Sequence, residues 1–414
     1  VKILLLHDKG FRPALPLMKG EMSEGTDSRG GVDAHLAQLA EGLRGRGLDV
    51  AVARFVGAPT ERTGPARGYH EVRSSFARTL LVAARLGRIV AEEKPDVIHS
   101  HSSYYALNPL VIRVLLGLRP LVHTVHDVTL TCPRRTRLLP DGTLCDARAG
   151  MACMEGGCCR ADGEGAVRSY MRALSCRILL REYRRLPAII VPSRFMRDLL
   201  LLHDFDGSRI RVIPHSPRFG SRPSGGRAEP GTILYVGRLV REKGVLEFVE
   251  ALSMLRSSRG WKAVIAGGGE LSMRARSLAE KHGVTKRVTF TGEVGRGDIE
   301  RLYRECAFVV LPSLIPESFC LVGVEAMSFG KPVVAFDAGG VREWLREGQT
   351  GLLAPHGDVS RLARLMEMLL EDEALRERLG ENGLRIVSER FDAGRQVARV
   401  MEVYADTVGA SLKE

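Results

Sequence analysis

The chain runs to 414 residues, 44% of them hydrophobic and 27% charged, with 61 Lys+Arg against 49 Asp+Glu for a net charge of +12. Such a length exceeds one ordinary core and such a composition is that of a soluble globular protein, which sets aside disordered and fibrous classes and leaves two domains as the expectation. No apolar run approaches the roughly 18 residues of a membrane span, and the best candidate, LNPLVIRVLLGL, is broken by Arg113.

The opening KILLLH is too short for a signal-peptide core and ends at His7 and Asp8, so it reads as a first strand of a cytoplasmic protein. A loop rich in Gly, Lys and Glu leads into SRGGVDAHLAQLAEGLRGRG, where Val32, Leu36, Leu39 and Leu43 recur at helical spacing and Gly45 to Gly47 close the helix. LDVAVARF is the next strand, followed by the helix FARTLLVAARLGRIVAEEK, the strand DVIHSH, a further helix and the strand LVHTVHD. A cysteine-rich insertion at 130–160 precedes the basic helix AVRSYMRALSCRILLREYRR, the strand AIIVPS and the short strand RVIPH.

SPRFGSRPSGGRAEPG lacks any apolar period and marks a linker at 219–230. Beyond it the alternation restarts. TILYVG, KAVIAGG, RVTFTG, FVVLPS and PVVAFD read as strands, each trailed by a helical pattern. Residues 357–390 read as two helices, and FDAGRQVARVMEVYADTV as a terminal one with Val397, Val400, Val403 and Tyr404 on one stripe. Short apolar strands alternating with amphipathic helices predict parallel sheets covered on both faces. The expected fold class is α/β, with two Rossmann-like doubly wound domains facing across a cleft. They span 1–218 and 231–385, and the C-terminal segment 386–414 is expected to cross back to the first domain.

The charge is unevenly spread. Residues 1–218 hold 33 Lys+Arg against 22 Asp+Glu, and the remainder 28 against 27. That asymmetry suits an anionic partner for the first half, unless it only records an Arg-rich genome.

In the second half, TILYVG runs into Arg238, Lys243 and Gly244 before a helix. Two cations over a helix start suit a diphosphate through charge, donors and helix dipole. PESFCLVGVEAMSFG places Glu317 and Glu325 eight positions apart, the second inside an apolar helix where an unpaired carboxylate would be costly. A helix starting near Phe319 would aim the N–H groups of Phe319, Cys320 and Leu321 at phosphate oxygens, and each glutamate could accept bonds from vicinal sugar hydroxyls.

These stretches resemble the retaining glycosyltransferases of family 4, whose two-domain architecture is known as GT-B. The family pattern PESFGLVxLEAMAxGxPVVA stands here as PESFCLVGVEAMSFGKPVVA, its GRLxxxKG turn as GRLVREKG, and its GGxxExxxxGxTG as GGVREWLREGQTG. The likeness is strong over 231–360 and thinner before it, resting there on RGGVDAHLAQLA and DVIHSH. The resemblance implies transfer of a sugar from a UDP-, GDP- or ADP-sugar to a glycan or lipid-linked acceptor with retention of configuration and no catalytic metal. It implies that Arg238 and Lys243 hold the diphosphate and Glu325 the ribose. Glu317 contacts the transferring sugar, aided by Phe319, Cys320 and Leu321. Gly30 and Gly31 approach the phosphate, and His101 lies near the donor sugar. Cys320 departs from the family's usual glycine.

His126, Asp127 and Arg134 could order an acceptor, although capping or core roles for the first two, and solvation for Arg134, Arg135 and Arg137, serve as well. Five of eight cysteines fall at 132–159. Cys132, Cys145, Cys153 and Cys158 could bind a structural zinc, but no CxxC pair is present and a thiol-rich lid without metal is the simpler reading. The basic helix, with Met171, Leu174, Ile178 and Leu179, could lie on the inner face of an anionic membrane, or pack its apolar side inward, which is the plainer expectation. Exopolysaccharide, lipopolysaccharide or glycolipid assembly would suit such a protein. The rivals are a sugar-nucleotide epimerase of the same shape, which needs no acceptor, and a non-catalytic sugar-nucleotide sensor. A nicotinamide dehydrogenase is disfavoured because the first strand lacks GxGxxG. Nucleic-acid binding explains the basic half but not the glutamate pair, so no nucleic-acid partner is expected.

Overall fold

The structure is a computed structural model that describes residues 1–7, 31–56, 68–73, 79–101, 108–150, 153, 158, 166–219, 229–257 and 260–411. The chain divides into two compact units. The first comprises Val1–Arg135, Asp146–His215 and Ala393–Glu414, and the second Thr136–Cys145 and Ser216–Asp392.

In the first unit, β1 (Lys2–His7), β2 (Asp49–Val56), β3 (Tyr69–Arg73), β4 (Val97–Ser100), β5 (Leu121–Thr124), β6 (Ala188–Val191) and β7 (Ile210–Val212) form one parallel sheet in the order β3-β2-β1-β4-β5-β6-β7. Ile3, Leu4, Leu5 and Leu6 are all fully buried, as a strand covered on both faces requires. The helices are α1 (Gly31–Gly45), α2 (Thr79–Glu93), α3 (Pro109–Leu116), α4 (Ala166–Tyr183) and α5 (Arg194–Leu202). Asn108 caps α3 by accepting from the N–H groups of Leu110 and Val111, with Pro109 preset in the first turn. The order reverses between β1 and β4. Ligands of doubly wound sheets bind outside the strand C-termini at such a switch point.

Two sequence expectations are corrected here. Strand β3 was not anticipated: it is a short edge strand, and of its residues Val72 is the buried apolar one. In α4 the inward face is formed by Ser169, Ala173, Cys176, Leu180 and Tyr183, while Met171 and Ile178 are exposed. Of the apolar residues read from the sequence, Leu179 is buried in the core and Leu174 is half-buried, so that stripe straddles the edge of the inward face.

The second unit carries β8 (Thr232–Val236), β9 (Lys262–Ala266), β10 (Val288–Gly292), β11 (Phe308–Leu311), β12 (Val333–Phe336) and β13 (Gly351–Ala354), parallel in the order β10-β9-β8-β11-β12-β13. Its helices are α6 (Val245–Ser253), α7 (Ser272–Lys281), α8 (Arg296–Glu305), α9 (Leu321–Ser328), α10 (Val359–Glu371) and α11 (Glu373–Arg390). Strand β13 also escaped the sequence reading. Moreover, β12 is followed by a single 3-10 turn, Gly340–Glu343, where a helix was expected. Gly351 opens β13 because a Cβ there would lie 2.3 Å from the Val333 carbonyl.

The terminal helix α12 (Ala393–Ser411) belongs to the first unit. Val397, Val400, Val403 and Tyr404 join Ile3, Leu5, Leu36, Leu39 and Leu43 in one core. Close approach to α1 depends on Gly42, whose added Cβ would fall 2.5 Å from a Val397 methyl. Among the described residues no helix is long and apolar enough to cross a membrane.

Candidate active site

Three motifs of the second unit meet on one residue, Glu317. The turn after β8 ends at Gly244, which has φ +68° and would place a Cβ 1.7 Å from the Pro312 carbonyl oxygen. No side chain fits there, so the GRLVREKG turn lies flat on the segment after β11, and the Leu314 N–H donates to the Glu242 carbonyl at 3.0 Å. Lys243 is thereby brought to Glu317, Nζ to Oε1 at 2.6 Å, and the Ser313 hydroxyl donates to the same oxygen at 2.5 Å. From the third motif, the Gly340 N–H donates to the Glu317 carbonyl at 2.6 Å, and Gly339, at φ +66°, leaves no space for a Cβ beside it.

Glu317 is only 7% exposed. Burial pushes its carboxyl upward, but Lys243, Ser313 and the nearby Arg238 outweigh that, so it is held below the usual carboxylate range. Burial likewise opposes the charge on Lys243, and Glu317 restores it, leaving the ammonium raised above its ordinary value. The resemblance assigned Lys243 and Glu317 to different parts of a donor, yet in the structure they hold each other. Arg238 is exposed beside them.

The expected helix start at Phe319 is corrected. Helix α9 begins at Leu321, and Cys320 precedes it in the left-handed region at φ 64°. Phe319 lies outside the helix, and its carbonyl accepts from the Trp344 indole at 2.5 Å. The Trp344 ring in turn fills the place where a Cβ on Gly323 would be, 2.1 Å away. Burial, and then the Glu317 charge, push the Cys320 thiol up to about 12, so it stays protonated at neutral pH.

Glu325 sits inside α9 and is 1% exposed. Arg218 grips both its oxygens, Nε to Oε1 at 2.6 Å and Nη2 to Oε2 at 3.3 Å, and the Tyr303 hydroxyl donates to Oε2 at 3.1 Å. The carboxylate expected to face a ligand is thus the centre of a buried polar group. The sequence reading missed Ser313, Tyr303 and Arg218. Ser313 could have been noticed four residues before Glu317, whereas Arg218 lies 107 residues from Glu325, with no local signal joining them.

In the first unit Gly31 opens α1, and Gly30 lies outside the described residues. His101 follows β4, held by its N–H on the Leu6 carbonyl at 2.9 Å, and its Nδ1 is 2.9 Å from Nε2 of His126, which follows β5. Sequence reading paired neither residue with the other, nor with His35 of α1 and His215 after β7. The His35 ring lies 5.6 Å from His101, 5.4 Å from His126 and 4.1 Å from His215, centroid to centroid.

Asp127 takes the capping alternative, accepting from the Thr129 N–H at 2.9 Å at the start of a 3-10 turn. Arg134 is half-buried, its guanidinium 3.9 Å from the Cys158 sulfur. Arg137, expected at an acceptor or in solvent, is buried and donates through Nε and Nη2 to the Cys145 carbonyl. Among the described residues Cys132, Cys145, Cys153 and Cys158 are not gathered as a metal-ligand group: the group with three ligand atoms within 4.8 Å of one another is His35, His101 and His126.

Residues 29–216 match the family described as Glycosyltransferase Family 4, and residues 220–385 the family described as Glycosyl transferases group 1. An alpha-D-kanosaminyltransferase of Streptomyces kanamyceticus is 36% identical over 172 residues, a match covering 41% of this chain and only 44% of that protein. A phosphatidyl-myo-inositol mannosyltransferase of Mycobacterium leprae is 27% identical over 93% of this chain and 95% of its own length. Among solved structures, Anabaena Alr3699/HepE in complex with UDP superposes with a TM-score of 0.70 at 20% identity, covering 98% of this chain and all of that one. That last likeness concerns the fold.

Proposed function

We propose that this GT-B glycosyltransferase moves a hexose from a UDP-, GDP- or ADP-sugar to a glycan or lipid-linked acceptor with retention of anomeric configuration. The observation that carries the reading is the Lys243–Glu317 pair, a buried acid and a cation gathered by three separate motifs. UDP bound to the Anabaena protein supports a nucleotide-sugar donor, and the mycobacterial relative's name supports a lipid-like acceptor.

The donor diphosphate would draw on Arg238 and Lys243, with the first helical N–H, that of Leu321, adding the dipole of α9. As the phosphate takes up part of the Lys243 charge, the Glu317 carboxylate turns to the hydroxyls of the transferring sugar. Gly31, with Gly30 before it, gives the phosphate room at the start of α1, and His101 lies near the donor sugar. Glu325 accepts from the ribose once the ribose displaces Arg218. In the transfer itself, the bond from the anomeric carbon to the diphosphate breaks and the acceptor oxygen bonds to that carbon on the same face. The acceptor's proton passes to the departing phosphate oxygen. Stabilising the developing charge on the diphosphate is then the protein's main task.

Screening UDP-, GDP- and ADP-sugars for thermal stabilisation identifies the donor, and acceptor-dependent release of nucleoside diphosphate separates transfer from epimerisation or sensing. With the donor known, Glu317→Ala is expected to lower kcat by about 100-fold or more while donor KM moves by no more than about threefold. An unchanged kcat in the folded variant refutes the assignment, and an inverted product anomer by NMR refutes retention.

A further inference from the structure

The buried histidines of the first unit fall into two groups. Some have both ring nitrogens engaged: His99 through the Tyr404 and Thr124 hydroxyls at 2.6 and 2.8 Å, His203 through the Leu199 carbonyl and the Ala149 N–H at 2.7 and 2.9 Å. These are core histidines settled by hydrogen bonds. His35 and His101 are different. They are 4% and 3% exposed, and Nδ1 of His35 and Nε2 of His101 are buried without a hydrogen-bond partner, a state shared by Nδ1 of His123, which has no place in the ligand group they form. An orphaned buried nitrogen is costly and asks for an explanation.

With His126 these residues form a trio whose ligand atoms all lie within 4.8 Å of one another. They come from different elements: His35 from the second turn of α1, His101 from the end of β4, and His126 from just beyond β5. We propose that His35, His101 and His126 bind a divalent first-row transition-metal ion, Zn2+ by preference, at the C-terminal edge of the first sheet. Three imidazoles with one open position match a common zinc ligand set, and imidazole suits zinc, copper, nickel and cobalt better than magnesium or calcium. The His215 ring, 4.1 Å from His35 and 5.2 Å from His126, packs against the site from beyond β7.

The bound ion joins α1 to the ends of β4 and β5, and thereby stabilises the first unit.

The test uses the full chain, stripped with chelator and titrated with Co2+ and Zn2+. The expected result is one tightly held equivalent, visible d–d absorption from Co2+ without a thiolate-to-cobalt charge-transfer band, and a Tm raised by about 5 °C. His35→Gln should weaken binding more than about tenfold, and the quadruple serine variant of Cys132, Cys145, Cys153 and Cys158 should bind as before. Retention of no ion, a sulfur charge-transfer band, or unchanged affinity in His35→Gln each overturns the site. Should His35→Gln fail to fold, the cobalt spectrum of the unaltered protein still decides.

Discussion

Cys320 is the residue at which pattern and physics are easiest to connect. Its φ of 64° lies where an L side chain costs on the order of 1–2 kcal/mol and glycine nothing. The glycine usual in the family at this position therefore follows from the backbone that launches α9. Cys320→Gly is expected to raise Tm by about 2–4 °C with the fold intact, whereas Cys320→Val, β-branched in the same conformation, should lower it. Scanning calorimetry of both variants checks the pair, and a lower Tm for the glycine form would mean that the thiol's packing outweighs the backbone strain. Gly323 follows from space instead of conformation, and Gly244 from both, each standing where an indole or a backbone carbonyl fills the volume of a Cβ. Glu325 shows the limit of such reasoning: its burial was legible from its place in an apolar helix, but Arg218 and Tyr303 as its partners were not.

Among the elements, α4 departs most from its sequence reading. Apolar residues lie all round the helix, with Met171 and Ile178 exposed, Leu174 half-buried, and Ala173, Cys176, Leu179 and Leu180 buried, so periodicity alone could not say which face turns in. The contact between the Cys176 sulfur and the Leu130 carbonyl, and the burial of Tyr183, settle it. The outward stripe, Val167, Tyr170, Met171 and Ile178, is left exposed with Arg177 and Arg181 also exposed on the helix. That combination is what an interfacial helix on an anionic membrane would present. The full chain is expected to sediment with vesicles containing about a third phosphatidylserine, to be released by high salt, and to lose most binding in Met171→Glu/Ile178→Glu. Equal sedimentation of that variant would assign the binding to charge alone. Strands β3 and β13 were invisible for another reason. In β3 the buried apolar residue is Val72, and β13 is a four-residue segment, too short to show a period, so pairing more than composition makes them strands.

At the scale of the molecule, acid sensitivity is concentrated in the first unit. Burial holds His123 down to about 3, and the unfolded chain titrates it near 6.5. The folded-state value is the lower one, so the unfolded chain binds the proton first as pH falls. The stability this group confers is whole above about pH 6.5 and declines below it by roughly 1.4 kcal/mol per pH unit until the folded group titrates. His35 is shifted in the same direction. The first unit should therefore melt several degrees lower at pH 5 than at pH 7.5. His123→Phe, which keeps a ring against Tyr183, should shrink that difference by an amount that thermal melts at the two pH values can read. A difference that does not shrink would remove His123 from the account.

The same scale separates what each source of information decided. Repeated short apolar strands and amphipathic helices were enough to foresee two doubly wound parallel sheets, because burial on both faces leaves a mark on every strand. Motif spacing was enough to single out Lys243, Glu317 and Glu325, because each sits within a few residues of a glycine or proline that shapes its turn. What tertiary structure alone decided was partnership. Lys243 with Glu317, Arg218 with Glu325, and His35 with His101 and His126 are separated by 25 to 107 residues and meet only when the sheets form. Side-chain electrostatics depends on distance in space, and a chain that can bury a charge or an imidazole in many places does not state in its sequence which neighbour will compensate it.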